Sequence, residues 1–335
     1  MNIDSIIKSI KRNQKNKRCY HPNAGDSCRK YINAHSIQEN RELVSIAKDG
    51  NIFQIKSEIS KNGNTYKVKP HGKGVASTFY GFCEPHDNEL FRPIDTQFLV
   101  PTNEQAFLLA YRSVCKELFS KENAINILND SLEQVKDKSK LEMLNGLLIG
   151  NWNGLKNLYK YKECLDNKYL SQDFEDIRYY ILSFDSQPIM HYSGLTYPDY
   201  DFCSNSLQNI LNDPGLLSFS SVLTKKGWAI VFSWLSKSDD VCIAFIESLE
   251  KRLYAGDNLT DLLFNFVLKS CENIAFSPNW WNSLSDNSKK RILDLIQVRD
   301  SCSIMPSPDR YEKIEVSIQD WNYVETKTNI KKTKC

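Results

Sequence analysis

The chain predicts an α+β fold, mostly helical, in which a small N-terminal module of unusual composition precedes a helical C-terminal domain with a small antiparallel sheet. Three observations predict it. From residue 103 to 165 apolar side chains recur every three or four positions, the period of a helix with one buried face. From 176 to 235 they gather instead into short runs rich in β-branched and aromatic residues, separated by turn-forming polar ones. The first hundred residues hold few large apolar side chains but contain four of the chain's five histidines.

A length of 335 residues exceeds what one ordinary core organises, so the chain is expected to divide into a module over 1–100, a domain over 101–300 and an extended tail over 301–335. Apolar and charged fractions of 41% and 25% are those of a folded protein. A net charge of +2 gives no global pull on nucleic acid. The charge is uneven, however. Lys8, Lys11, Arg12, Lys15, Lys17, Arg18, Arg29 and Lys30 surround the first cysteines with only Asp4 and Asp26 against them. Such local basicity suits phosphates, and it equally suits a solvated helix face. Nucleic acid is therefore the expected partner of this region, a protein partner is expected for the C-terminal domain, and no membrane is expected. Cys115, Cys164, Cys203, Cys242, Cys271 and Cys302 lie singly in apolar patterns, as in a reducing compartment. The opening apolar run is too short for export or insertion, so a cytoplasmic protein is expected. Cys335 is the last residue rather than four from the end, so it is not a prenylation site.

Taken in order, Ile3, Ile6, Ile7 and Ile10 predict a short amphipathic helix over 3–14. Asn23, Gly25, Asp26 and Ser27 predict a turn. Leu43, Ile46 and Ala47 fall on one side of a short helix over 39–47. Rough alternation over 51–59, the turn signal Lys61-Asn62-Gly63-Asn64 and a return over 65–69 predict an inserted β-hairpin. At Thr102 a capping box opens a helix from 103 to about 119, the threonine capping the Gln105 amide while the glutamine reaches back. Further helices are expected at about 123–135 and 139–165. Strands follow at 176–184, 188–192, 216–223 and 228–235, then helices at about 239–254, 258–271 and 286–298. The last forty residues pass Pro306 and Pro308 into a basic tail.

The Cys/His crowding carries the chemistry. A tetrahedral zinc site draws on cysteine thiolate and histidine nitrogen, presented as two close pairs that folding brings together. Cys83 and His86 form one pair, C-x2-H, and Pro85 between them suits the first turn of a helix. The other pair, Cys19 and Cys28, is stretched over eight intervening residues. The expected metal set is thus Cys19, Cys28, Cys83 and His86 with structural Zn2+, and His21 is the substitute for Cys19. His71 lies in a Gly-rich loop without phosphate-loop spacing and is read as a hairpin exit. Trp280-Trp281 reads as packing at a helix entrance, and His191 has no cysteine or carboxylate close by in sequence.

A cysteine pair, an Ala34 to Ile37 stretch reading Ala-His-Ser-Ile, an inserted hairpin, and Phe-Cys-x-x-His-Asp over Phe82 to Asp87 together resemble the zinc-containing treble-clef layout of HNH-type endonucleases. The wording AHSIQ and GFCEPHD also looks like bacterial hypothetical proteins of no assigned activity. The resemblance covers residues 19–91 and is one of arrangement. It implies that His35 stands in the place of a general base acting against a phosphodiester, that Asp87 stands where the family holds a catalytic Mg2+ or Mn2+, and that bacterial defence is the setting. Residue 34 departs from the pattern, being alanine where an acidic ligand often precedes that histidine. Two readings remain open here: a metal-dependent nuclease, and a non-catalytic zinc module that binds nucleic acid or protein. For His35 the alternatives are a hydrogen bond to the zinc loop or a ligand role in place of Cys19. For Asp87 the alternative is a carboxylate facing a helix macrodipole.

Overall fold

A computed structural model describes residues 8–10, 12–13, 16–60, 63–208, 214–300, 311, 316 and 318–331. Helical backbone at 8–10 and 12–13 agrees with the opening helix, the rest of which lies outside the described residues, as do Lys61 and Asn62 of the hairpin turn, Pro306, Pro308, Cys302 and Cys335. Strand β1 (Tyr31–His35) leads through a π-helical turn (Glu39–Leu43) and a short helix α1 (Val44–Ile46) to the hairpin β2 (Asn51–Ser60) and β3 (Gly63–Gly72). Strand β4 (Thr78–Cys83) then enters helix α2 (Glu84–Asp95). Two long helices follow, α3 (Asn103–Leu132) and α4 (Lys138–Ser171). Four strands come next, β5 (Ile177–Phe184), β6 (Met190–Thr196), β7 (Leu217–Leu223) and β8 (Trp228–Leu235). The chain continues through α5 (Asp239–Tyr254), α6 (Leu259–Ser270), β9 (Ile274–Phe276), α7 (Pro278–Ser283) and α8 (Asp286–Arg299) to β10 (Tyr323–Thr328).

The α+β class holds, but the sheet is not small. It has eight strands in the order β10-β5-β8-β7-β6-β9-β2-β3, every neighbouring pair antiparallel. The sequence shows the middle of it, because β5, β7 and β8 alternate one deeply buried face with another. What enlarges it is β9, only three residues long, which pairs on one side with β6 and on the other with the inserted hairpin through Phe53 and Phe276. Part of the supposed tail adds β10 to the far edge, anchored by the buried Trp321 against Trp228 and Phe184. Among the described residues, no helix is long and apolar enough to cross a membrane.

Alternation decides which side chains meet which helices. Tyr180, Leu182, Phe184, Phe219, Ile230, Phe232 and Trp234 project to one face and pack with Phe245 and Leu249 of α5, Leu263 and Phe266 of α6, and Ile292 and Ile296 of α8. Ile181, Val222, Ala229 and Val231 project to the other, beneath Leu109 of α3. Helix α3 is continuous where two helices were expected, since nothing between 119 and 123 interrupts its backbone bonds. Thr102 Oγ accepts from the Gln105 amide at 3.2 Å as predicted. The glutamine side chain does not complete the capping box; it accepts from Val100 N and donates to Pro93 O, tying the helix start to the end of α2.

The outer face of α3 receives the N-terminal segment. Tyr20, Ala34, Phe79, Phe82, Leu90, Phe91 and Ile94 share one core with Phe107, Tyr111, Val114 and Leu118 of α3 and Leu158 and Leu165 of α4. Polar contacts fix the register of this docking. Ser36 and Ser77 bond each other and both meet Asn273, while Glu42 accepts from Leu223 N at 3.0 Å.

His191 on β6 supplies a further tie. Its ring is fully buried, Nε2 lying 2.9 Å from Ser45 Oγ and Nδ1 2.9 Å from Ser221 Oγ, which occupies both nitrogens in structural bonds. Burial holds its pKa down at about 3, against 6.5 in an open chain. Between those values the unfolded chain takes up a proton that the folded one does not, so stability falls as pH drops through that window. The slope from this one group is about 1.4 kcal/mol per pH unit. Urea melts of wild type and His191→Asn at pH 7 and pH 5 test it: the variant should lose less on acidification, and equal losses would remove the assignment.

Candidate metal centre

The first strand pair builds the site. Arg18 N and Tyr20 N donate to Tyr80 O and Gly81 O, which lays Cys19 alongside the end of β4. Turns closed by Ala24 N on His21 O and by Cys28 N on Gly25 O then return the chain, so that Cys28 arrives just before β1. In the β1–β4 pairing Tyr31 faces Cys83, and Lys30 takes a positive φ of 52° as its carbonyl accepts from Glu84 N. Cys83 is the N-cap of α2, Pro85 occupies its first turn, and His86 follows within that turn.

These elements bring four side chains to one point. Cys19, Cys28, Cys83 and His86 offer ligand atoms that all lie within 4.8 Å of one another. His86 Nδ1 is 3.4 Å from Cys19 Sγ, 3.5 Å from Cys28 Sγ and 3.3 Å from Cys83 Sγ, and the Cys19 and Cys83 sulfurs are 3.9 Å apart. A tetrahedron with ligand lengths of about 2.3 Å to sulfur and about 2.0–2.1 Å to nitrogen has edges of about 3.8 Å between sulfurs and about 3.6 Å between sulfur and nitrogen. The observed spacings match those edges and are far too long for a disulfide. The group could hold a metal ion, and its donors are compatible with zinc. Burial first, and then the neighbouring Cys83 and Cys28 thiols, push the Cys19 thiol up to about 12, whereas the Gly25 backbone amide lowers that of Cys28.

His21 stands outside the four. Its ring stacks on that of His86 at 4.0 Å and 6°, and its Nδ1 accepts from Asn23 N at 3.1 Å. The proton is therefore on Nε2, which is buried with no partner among the described residues. Beside it, residues 18–22 and one face of α4 enclose an open cleft of about 790 Å3.

His35 ends β1 opposite Thr78, about 13 Å along the strand from Tyr31 and the sulfur cluster. It is half-buried; Nε2 lies 3.2 Å from Lys73 O, and Glu39 Oε2 is 3.8 Å away. Burial lowers its pKa, with the Lys73 carbonyl and Glu39 acting the other way. Asp87 lies in the first turn of α2, where burial raises its carboxyl to about 6 against the pull of Arg112. The two share an electrostatic neighbourhood, for Arg112 and Asp95 act on both. Neither belongs to a metal-binding group; among the described residues the Cys3His set is the one gathering of three or more His, Cys, Asp or Glu donors.

Arg112 was missed in the sequence. It sits inside the apolar stripe of α3, paired bidentately with Asp95 at 2.8 and 2.7 Å and lying 4.0 Å over the Phe91 ring. An arginine flanked by Tyr111, Ser113 and Val114 was the available signal, but its partner is known only once α2 is folded back. Glu42 was missed likewise: it is buried, and burial raises its carboxyl. No protein-family model, no curated protein and no solved structure matches this chain.

Proposed function

We propose that the chain is a zinc-stabilised, HNH-like nuclease that hydrolyses phosphodiesters with the help of a divalent ion. The observation that carries the reading is the state of His35. Its Nε2–H donates to the Lys73 carbonyl, which fixes the tautomer and leaves Nδ1 as a lone pair with no protein partner among the described residues. Burial keeps that ring neutral. A neutral, oriented imidazole beside a zinc-held strand pair and helix is what a general base requires. Support also comes from the order of elements, since β1 ending in His35, the β2–β3 hairpin, β4, and then α2, capped by Cys83 and carrying His86 and Asp87 in its first turn, come in the order that the resemblance implies.

In this reading Cys19, Cys28, Cys83 and His86 hold zinc, which ties residues 19–28 to the start of α2. His35 Nδ1 would take a proton from water as the water oxygen bonds to phosphorus and the bond from phosphorus to the leaving sugar oxygen breaks; that oxygen would take a proton from solvent water, and the imidazolium would return its proton to solvent to restore the neutral base. Asp87 would hold Mg2+ or Mn2+, which supplies charge stabilisation on the phosphate oxygens. One carboxylate suffices for such an ion when water and substrate phosphate complete its shell.

A second reading, a non-catalytic zinc module that binds nucleic acid or protein, is favoured by two observations. Ala34, where an acidic ligand would precede the histidine, is buried in the apolar core. Arg112 also sets a fixed positive charge against Asp95 and Asp87. Incubation of purified protein with DNA and RNA in Mg2+ or Mn2+ separates the readings. Wild type should cleave, and His35→Ala should be slower by about 10²–10⁴-fold with unchanged zinc content. Equal rates for the two would remove His35 as the base, and no cleavage by wild type would leave the binding module.

A further inference from the structure

Helix α4 buries one side and leaves another side apolar in the open. Between Lys138 and Gly154 its one buried residue is Leu144, and the core side continues through Leu155, Leu158 and Leu165. Away from that side Ile149 is 62% exposed, Trp152 52% and Tyr159 45%. Three large apolar side chains this close together on one helix form a patch that asks for a cover.

They belong to a longer strip. From Lys138 to Glu163 exposed residues follow one another at intervals of 4, 3, 4, 3, 4, 3 and 4. Such spacing keeps side chains on a single seam when two helices cross at about 20° and wind around each other. The residue types along the seam are complementary when read from its two ends. With α4 laid antiparallel on a second copy, and the two-fold axis between Ile149 and Trp152, Ile149 meets Trp152 of the copy. Further out Asn145 meets Lys156, Glu142 meets Tyr159 and Lys138 meets Glu163. Each contact occurs twice, as a two-fold axis requires.

Charge order selects the antiparallel direction. In a parallel pair Lys138, Glu142, Lys156 and Glu163 would each meet their own copy, like against like. In the antiparallel pair Lys138 meets Glu163, and Lys156 comes one layer from Glu142. None of the four makes an ion pair among the described residues, so all are available to a partner. We propose that the chain forms a two-fold symmetric dimer through this face of α4, a second copy being what covers the strip. Ile149 and Trp152 supply the apolar centre, and the polar layers on either side fix direction and register. So short an apolar centre makes a weak, concentration-dependent pair. The pairing uses neither the metal centre nor His35, and it stands or falls apart from the proposed function.

The test is sedimentation velocity of the full chain, in reductant, from about 1 µM to about 200 µM. Wild type should pass from monomer to dimer within that range. Ile149→Asp should stay monomeric throughout, because pairing would bury two carboxylates without partners. Lys138→Glu and Glu163→Lys should each weaken the dimer about tenfold, since two attractive pairs become repulsive. Combining both reversals restores opposite charges and should return Kd to within about twofold of wild type. All three positions are exposed, so circular dichroism and thermal melting of each variant as a monomer should match wild type. Wild type that is still monomeric at the top of the range would overturn the proposal. So would a dimer that Ile149→Asp leaves intact, or charge reversals with no recovery in the double variant.

Discussion

Removing the metal with a strong chelator is expected to release residues 18–30 from the rest of the protein while the eight-stranded sheet stays folded. The segment holds few large apolar side chains; its anchors besides the Cys3His group include two backbone bonds to β4, the Glu84 N–H on Lys30 O, the Arg18–Glu122 and Lys30–Glu84 ion pairs, the Tyr20 ring in the α3 core with its hydroxyl on Glu122, and the Tyr20 carbonyl, which accepts from Tyr111 OH at 3.0 Å. Structural zinc contributes about 10–16 kcal/mol of apparent binding free energy in zinc-finger peptides, folding being included in that figure. Here most of the fold is secured by other cores, so the loss should appear locally, as new proteolytic cleavage between residues 21 and 30 and as a lower first unfolding transition. The purified chain should carry one equivalent of zinc, and Cys28→Ser should lose it together with protection from protease. A chain without zinc that cannot be loaded, or one whose melting is indifferent to chelation, would remove the metal from the account.

The sequence made the ligands legible because ligand identity is a property of residue type and close spacing. Cys83 and His86 are three apart at a helix start, whereas Cys19 and Cys28 are stretched over eight residues, and only the fold sets His21, the substitute for Cys19, outside the four. Helices α4, α5 and α8 and strands β5, β7 and β8 were legible for a related reason: each is long enough for its period to show which face is buried. The size of the sheet was not legible. Strand β9 is three residues long, too short for any period, and its partner β2 lies more than two hundred residues earlier. Nothing in a local pattern announces that the inserted hairpin would extend the C-terminal sheet. The charged centre behind Asp87 was hidden in the same way, because Arg112 interrupts an apolar stripe and takes its meaning from Asp95, Phe91 and Glu42, all set down earlier in the chain.

Arg112→Met is therefore expected to destabilise the protein by about 1–3 kcal/mol, less than the cost of breaking a fully buried pair, because the guanidinium is buried while Asp95 keeps 30% of its side-chain surface exposed. Two contributions oppose each other at this position. Desolvating a guanidinium is expensive, and burial by itself would lower its pKa; the bidentate bonds to Asp95 and the nearby Asp87 and Glu42 carboxylates overcome this and raise it instead. Methionine relieves the desolvation and keeps much of the packing on Phe91, but it strands Asp95 and loses the cation that also acts on Asp87. Lysine keeps the charge and not the planar fork, so Arg112→Lys should recover only part of the loss. The double variant Arg112→Met with Asp95→Leu should recover more, since both members of the main ion pair are then replaced by apolar groups. Urea denaturation of wild type, Arg112→Met, Asp95→Leu and the double variant measures the coupling, and a single methionine variant within about 1 kcal/mol of wild type would show that the pair is not what locks α2 onto α3. The double variant also bears on the chemistry. On the proposed nuclease reading, a double variant that folds and still cleaves with His35 intact would make the guanidinium scaffolding for the strand pair and helix, and one that folds and holds zinc but does not cleave would make the fixed charge behind Asp87 part of what positions the phosphodiester.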